Sequence, residues 1–166
     1  MDDSGKPLTI VFVCTGNTCR SPMAEAIFRL RLAERIGCRP EELEGNGFQV
    51  QSAGLAAFPG LPAAREAMDV VRTMGGDLSS HQSRQLTLED ALAADLLLVM
   101  TRGHAEALLS QLPENGPALR LLRSDGEDVE DPIGGAIDVY EACARQMHAC
   151  IDEILNELLS APETSS

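Results

Sequence analysis

Apolar residues recur along this chain in two rhythms. Short apolar runs at Leu8-Thr9-Ile10-Val11-Phe12-Val13, at 48–52, at 95–100 and at 118–122 predict buried strands. Between them, apolar positions three and four residues apart predict amphipathic helices over 22–36, 62–74, 87–93, 102–112 and 137–159. Pro62, Thr87 and Asp138 suit helix starts, and Gly37 and Gly75 suit helix ends. Strands alternating with helices define an α/β chain. The expected fold is a doubly wound sandwich, a four-stranded parallel sheet with helices on both faces. No internal repeat divides it, so residues 1–166 are read as one domain, and the polar ends 1–7 and 160–166 are expected to fray.

Composition narrows the class. A chain of 166 residues with 44% hydrophobic content suits one core of ordinary size. The formal charge of −13 argues against nucleic-acid partners and against attraction to anionic membranes, so any anionic substrate must be held locally. The apolar runs fall well short of the roughly 18 residues that cross a bilayer, and the start Met1-Asp2-Asp3 is unlike a secretory signal. Five cysteines, an odd number without an export signal, suit a reducing compartment. A cytoplasmic protein is expected, with its oligomeric state left open.

The chemistry concentrates where the first strand turns into the first helix. Residues Cys14 to Ser21 read C-T-G-N-T-C-R-S, a cysteine and an arginine separated by five residues. A strand turning sharply into a helix leaves backbone N–H groups unpaired at the positive end of the helix dipole, which suits a phosphate. The same field favours a cysteine thiolate, which can attack phosphorus. Arg20 offers a planar fork of donors matched to two phosphate oxygens. Gly16 permits tight curvature, Asn17 tolerates a left-handed backbone, and Pro22 suits a first helical turn. Thr15, Gly16, Asn17, Thr18 and Cys19 are therefore read as the substrate-binding loop, and Cys14 and Arg20 as its reactive ends. No G-K-[ST] follows the turn, which excludes a nucleotide-binding P-loop, and no C-x-x-C is present.

The run V-F-V-C-T-G-N-T-C-R-S-P-M-A-E from Val11 to Glu25, together with Ser52-Ala53-Gly54, Asp77-Leu78-Ser79-Ser80-His81, Ala94-Asp95 and Asp131-Pro132, resembles the low-molecular-weight protein phosphatase family over nearly the whole chain. Within that family it is most similar to bacterial protein-arginine phosphatases. The resemblance implies attack by Cys14 on a phosphorylated protein, a phosphocysteine intermediate, and no cofactor or metal. It also selects Asp131 as general acid and base from the acidic run Glu127 to Asp131, where composition alone does not choose. It implies a hydrogen-bond network of Asn17, Ser21, Ser52 and His81 around the loop, with Ser21 also touching the thiolate. It further implies that Cys19 can form a protective disulfide with Cys14 on oxidation.

The remaining candidates are weighed separately. His81, His104 and His148 are scattered, without metal-ligand spacing, and His104 and His148 are read as helix-surface residues. Cys143 and Cys150 share a helix face and are read as core; Tyr140 is read as packing. Phe58 and the segment 55–61 are assigned to a pocket wall. Thr18 bears on substrate, because arginine-directed members of the family carry threonine there and tyrosine-directed members a branched aliphatic residue. With no tryptophan, one tyrosine and four phenylalanines, aromatic walls for a phosphotyrosine ring are scarce. Ile133 departs from the aromatic residue common after Asp-Pro. Protein-arginine phosphatase leads, and protein-tyrosine phosphatase follows. Arsenate reduction ranks low because no relay cysteine lies between Cys38 and Cys143, and a phospho-residue binding module ranks low because Cys14, Arg20 and Asp131 are all present.

Overall fold

The apolar run at Leu8 is the spine of the molecule. In a computed structural model describing residues 5–160 it forms β1 (Leu8–Cys14), followed by α1 (Arg20–Ile36), β2 (Phe48–Gly54), α2 (Arg65–Thr73), α3 (Leu88–Ala93), β3 (Leu96–Val99), α4 (Arg102–Leu109), β4 (Ala118–Leu121) and α5 (Ile137–Ser160). Of the ends expected to fray, residues 1–4 and 161–166 lie outside the described residues, while Ser160 closes α5.

All strand pairs are parallel, in the order β2-β1-β3-β4. Because strand side chains alternate between faces, β1 must be apolar on both. Ile10 and Phe12 pack in one cluster with residues of α1, α2 and α5, whereas Val11 and Val13 pack in another with residues of α3 and α4. Phe12 meets Phe28 of α1 edge to face, with ring centroids 5.3 Å apart. The single-domain α/β sandwich read from the sequence is the fold observed.

The order reverses beside β1, from which β2 lies on one side and β3 and β4 on the other. Ligand crevices in such sheets lie at this point, beyond the carboxyl ends of the strands. Three segments meet there: the loop after β1, the turn after β3, and the segment 122–136 after β4. The last is tied back by Leu122 N–H to Val99 O (2.9 Å) and Val129 N–H to Met100 O (2.8 Å).

Two helices are shorter than their periodicity suggests. Pro62 does not start α2, because the residues on either side of it are tied outside the helix: Leu61 N–H donates to Ser83 Oγ at 2.9 Å, and Ala64 N–H donates to Thr18 O in the loop at 2.8 Å. Helix α4 stops at Leu109 because the chain enters a turn at Pro113, where Gly116 N–H bonds Pro113 O. Two short 3₁₀ turns, Pro40–Glu42 and Glu44–Asn46, lie between α1 and β2 and carry no apolar rhythm.

Candidate active site

Cys14 ends β1, and its sulfur meets two neighbours. Asn17 N–H donates to Sγ at 3.3 Å, and Ser21 Oγ stands 2.8 Å away. Asn17 is the one non-glycine residue with positive φ among the described residues, at 57°. Its side chain is buried and fully used: Nδ2 donates to Ser21 Oγ (2.8 Å) and Ser52 Oγ (3.0 Å), and Oδ1 accepts from Arg84 N–H (3.0 Å). Its carbonyl lies 2.8 Å from His81 Nε2, so that ring nitrogen carries the proton. Asn17, Ser21, Ser52 and His81 thus stand together. Because Ser21 Oγ already accepts from Asn17, its own proton is free to point at Cys14 Sγ.

Sequence reasoning missed Arg84. It binds Asn17 through its backbone, Ser52 O through Nε (3.0 Å), Gln51 Oε1 through Nη2 (3.0 Å) and Asp90 Oδ2 through Nη1 (3.0 Å). Its position in a run of polar residues gave no signal.

The loop floor is the end of β2. Leu55 N–H bonds Cys14 O (2.9 Å) and Ala56 N–H bonds Thr15 O (3.0 Å). This approach requires a glycine: a Cβ on Gly54 would stand 2.4 Å from Thr15 O and 2.9 Å from Ala57 Cβ. Above that floor, the N–H groups of Gly16, Thr18 and Cys19 bond no other group among the described residues, and α1 begins at Arg20 without a side-chain cap. Unpaired donors at the positive end of a helix can accept an anion.

Arg20 is buried and braced by Nη1 to Val129 O at 3.0 Å, while Nη2 stands 3.6 Å from Asp131 Oδ2. Asp131 Oδ1 accepts Ile133 N–H at 3.1 Å, which turns the chain after Pro132. Of its acidic neighbours, Asp128 is occupied elsewhere, accepting Arg102 N–H at 2.8 Å. The segment therefore brings Asp131 to the end of the loop opposite Cys14 in sequence.

Other expectations need correction or refinement. His104 is not a surface residue; it is 7% exposed, with Nε2 2.9 Å from Thr15 Oγ1. Burial, and then the Arg20 charge, push its pKa down, against the opposing pull of Asp128 and Asp131. His148 lies half-buried on α5, 3.4 Å from Asp152. Tyr140 is buried, its hydroxyl 3.5 Å from Cys19 Sγ, and burial raises the pKa of both groups. All five cysteines are free, and Cys19 neighbours Tyr140 and Thr18. Cys143 and Cys150 sit half-buried at the core's edge, not within it, with the Cys143 thiol pushed up to about 11 by burial. Phe58 and Ile133 are exposed, and Thr18 is half-buried. Among the described residues no cluster of three His, Cys, Asp or Glu could hold a metal, and no helix is long and apolar enough to cross a membrane.

A parallel sheet that delivers a cysteine, a loop of free amides and a braced arginine to its switch point defines a cysteine-based phosphatase. Comparison with known proteins agrees, for residues 9–162 match the model of the family "Low molecular weight phosphotyrosine protein phosphatase". The chain belongs to that family. Its relatives include a protein-arginine-phosphatase of Geobacillus stearothermophilus, 36% identical over 92% of this chain and 97% of that protein. They also include the low molecular weight protein-tyrosine-phosphatase PtpB of Staphylococcus epidermidis, 31% identical over 89% and 96%. Among solved structures, a cysteine-to-serine mutant of the YwlE arginine phosphatase with a phosphorylated active-site serine superposes with a TM-score of 0.79, at 34% identity over 92% of this chain and 97% of that one.

Proposed function

We propose that this phosphatase removes phosphate from phosphoarginine in proteins through a phosphocysteine intermediate. In the first displacement the Cys14 sulfur attacks phosphorus and the P–N bond breaks. Asp131 gives its proton to the departing guanidinium nitrogen, and Arg20 with the loop amides stabilises charge on the phosphoryl oxygens. In the second, Asp131 takes a proton from water as the water oxygen attacks phosphorus, releasing inorganic phosphate and restoring the sulfur. The phosphorylated serine in the YwlE mutant, at the place of its cysteine, supports a covalent route in this family.

Thr18 carries the substrate assignment. It lies inside the loop, half-buried, between Asn17 and Cys19, and its hydroxyl suits a polar phosphoguanidinium better than a phenyl ring. The supply of rings supports the same reading: Phe12, Phe28 and Tyr140 are buried in the core and Phe48 packs against it, which leaves Phe58 exposed. Phe58, 72% exposed after β2, is also the observation that favours the second reading, a protein-tyrosine phosphatase with that ring as a wall. Measured kcat/KM on matched phosphoarginine and phosphotyrosine peptides, with Cys14→Ser as the blank, decides between them. Preference for phosphoarginine sustains the assignment; preference for phosphotyrosine replaces it with the second reading.

A further inference from the structure

The loop is held on one side by Asn17 and its partners, and on the other by a residue that the mechanism above leaves unused. His104 lies in the first turn of α4, with its backbone N–H donated to the Thr101 cap at 3.1 Å. The residue is more than nine-tenths buried, Nε2 is 2.9 Å from Thr15 Oγ1, and the buried Nδ1 has no hydrogen-bond partner among the described residues. This imbalance fixes the tautomer. A proton on Nδ1 would bury an orphan N–H, whereas a bare lone pair there is the smaller cost. The proton therefore sits on Nε2 and is donated to the Thr15 hydroxyl.

We propose that His104 is a positioning residue for the phosphate loop, its Nε2–H pinning Thr15, the residue immediately after the nucleophile, to the start of α4. Thr15 has one other tie, its carbonyl to Ala56 N–H at 3.0 Å. That bond fixes its carbonyl and leaves its side chain to the imidazole. With both ties in place, the peptide that leads from Cys14 to Gly16 is held between β2 and α4. The inference rests on reading the loop as a phosphate site, but it does not depend on which phosphorylated residue the enzyme prefers.

Calorimetric titration with inorganic phosphate tests it without requiring turnover. His104→Leu removes the donor and should weaken phosphate binding about tenfold, the equivalent of about 1.4 kcal/mol. His104→Gln, whose amide can reach the same oxygen, should bind within about twofold of wild type, a rescue that simple filling of the cavity would not produce. Thr15→Val should weaken binding as His104→Leu does, and the double variant should be no worse than either single one, because both remove the same bond. Wild-type affinity in His104→Leu, or additive losses in the double variant, would overturn the assignment. Should His104→Leu fail to fold, Thr15→Val decides alone, since that side chain is at the surface: wild-type affinity there overturns the proposal. Failure of the wild-type protein itself to bind phosphate would overturn the loop reading, and this proposal with it.

Discussion

Arg20 Nη2 stands 3.6 Å from Asp131 Oδ2, joining the first turn of α1 to the segment after β4. One partner is buried and the other is 42% exposed, so the guanidinium is fixed while the carboxylate faces solvent. The pair orients the acid across the loop mouth. On the proposed mechanism, a phosphoryl group in the loop would give the guanidinium anionic oxygens to bind and leave the carboxyl beside the leaving group.

Asp131→Asn keeps the shape and removes the proton. It should lower kcat by about 10²- to 10⁴-fold on phosphopeptides and leave phosphate affinity near that of wild type. A kcat within threefold of wild type would remove Asp131 from the proton transfers.

Cys14→Ser should abolish turnover while retaining phosphate binding, because the loop amides and Arg20 remain. Residual turnover near wild type, measured by release of inorganic phosphate, would refute the covalent route.

Thr18→Ile replaces the loop hydroxyl with a branched aliphatic chain and should move the ratio of kcat/KM values towards phosphotyrosine. An unchanged ratio on matched peptides would show that Thr18 is not the selector.

Asn17→Ala removes bonds to Ser21, Ser52 and the Arg84 backbone and leaves a non-glycine residue at φ 57°. With about 1–3 kcal/mol at stake for each buried group left unpaired, the variant should lose several kcal/mol in urea unfolding. A loss below about 1 kcal/mol, the net worth of a single hydrogen bond, would mean that the network does not hold the loop.

Protonation of His104 supplies a pH dependence. Its pKa is depressed by burial and by Arg20, with Asp128 and Asp131 pulling the other way. Below the ordinary value of about 6.5, the unfolded chain therefore binds a proton that the native ring does not. Stability rises with pH across the window between the depressed value and 6.5, and is lost as the pH falls through it. Thermal unfolding of His104→Gln should show a shallower fall in Tm than wild type over that window, and parallel curves would count against a neutral buried ring.

Much of this was legible in the chain, for identifiable reasons. Strand β1 buries both faces, so its apolar run is continuous, and the octapeptide that follows combines turn formers with reactive residues in one local stretch. What escaped was set by long-range packing. His104 has the spacing of an exposed residue in a short helix, and only the parallel placement of β1 beside β3 brings the start of α4 over Thr15. Arg84 lies among polar residues, and its importance comes from partners on β2 and the loop. Asp131 could not be told from its acidic neighbours by pattern alone, because the distinction lies in which carboxylate the turn at Pro132 directs towards Arg20.

The knot at Asn17 also bears on how the loop moves. One buried side chain ties the loop to the start of α1, to β2 and to the Arg84 segment, so freeing it breaks bonds in several elements at once. Such a segment has no cheap local opening. Freeing it should need the surrounding sheet to open as well, so the bonded amides that fasten the loop, those of Leu55, Ala56 and Arg84, should exchange with solvent as slowly as those of β1, while the unpaired amides of Gly16, Thr18 and Cys19 exchange freely.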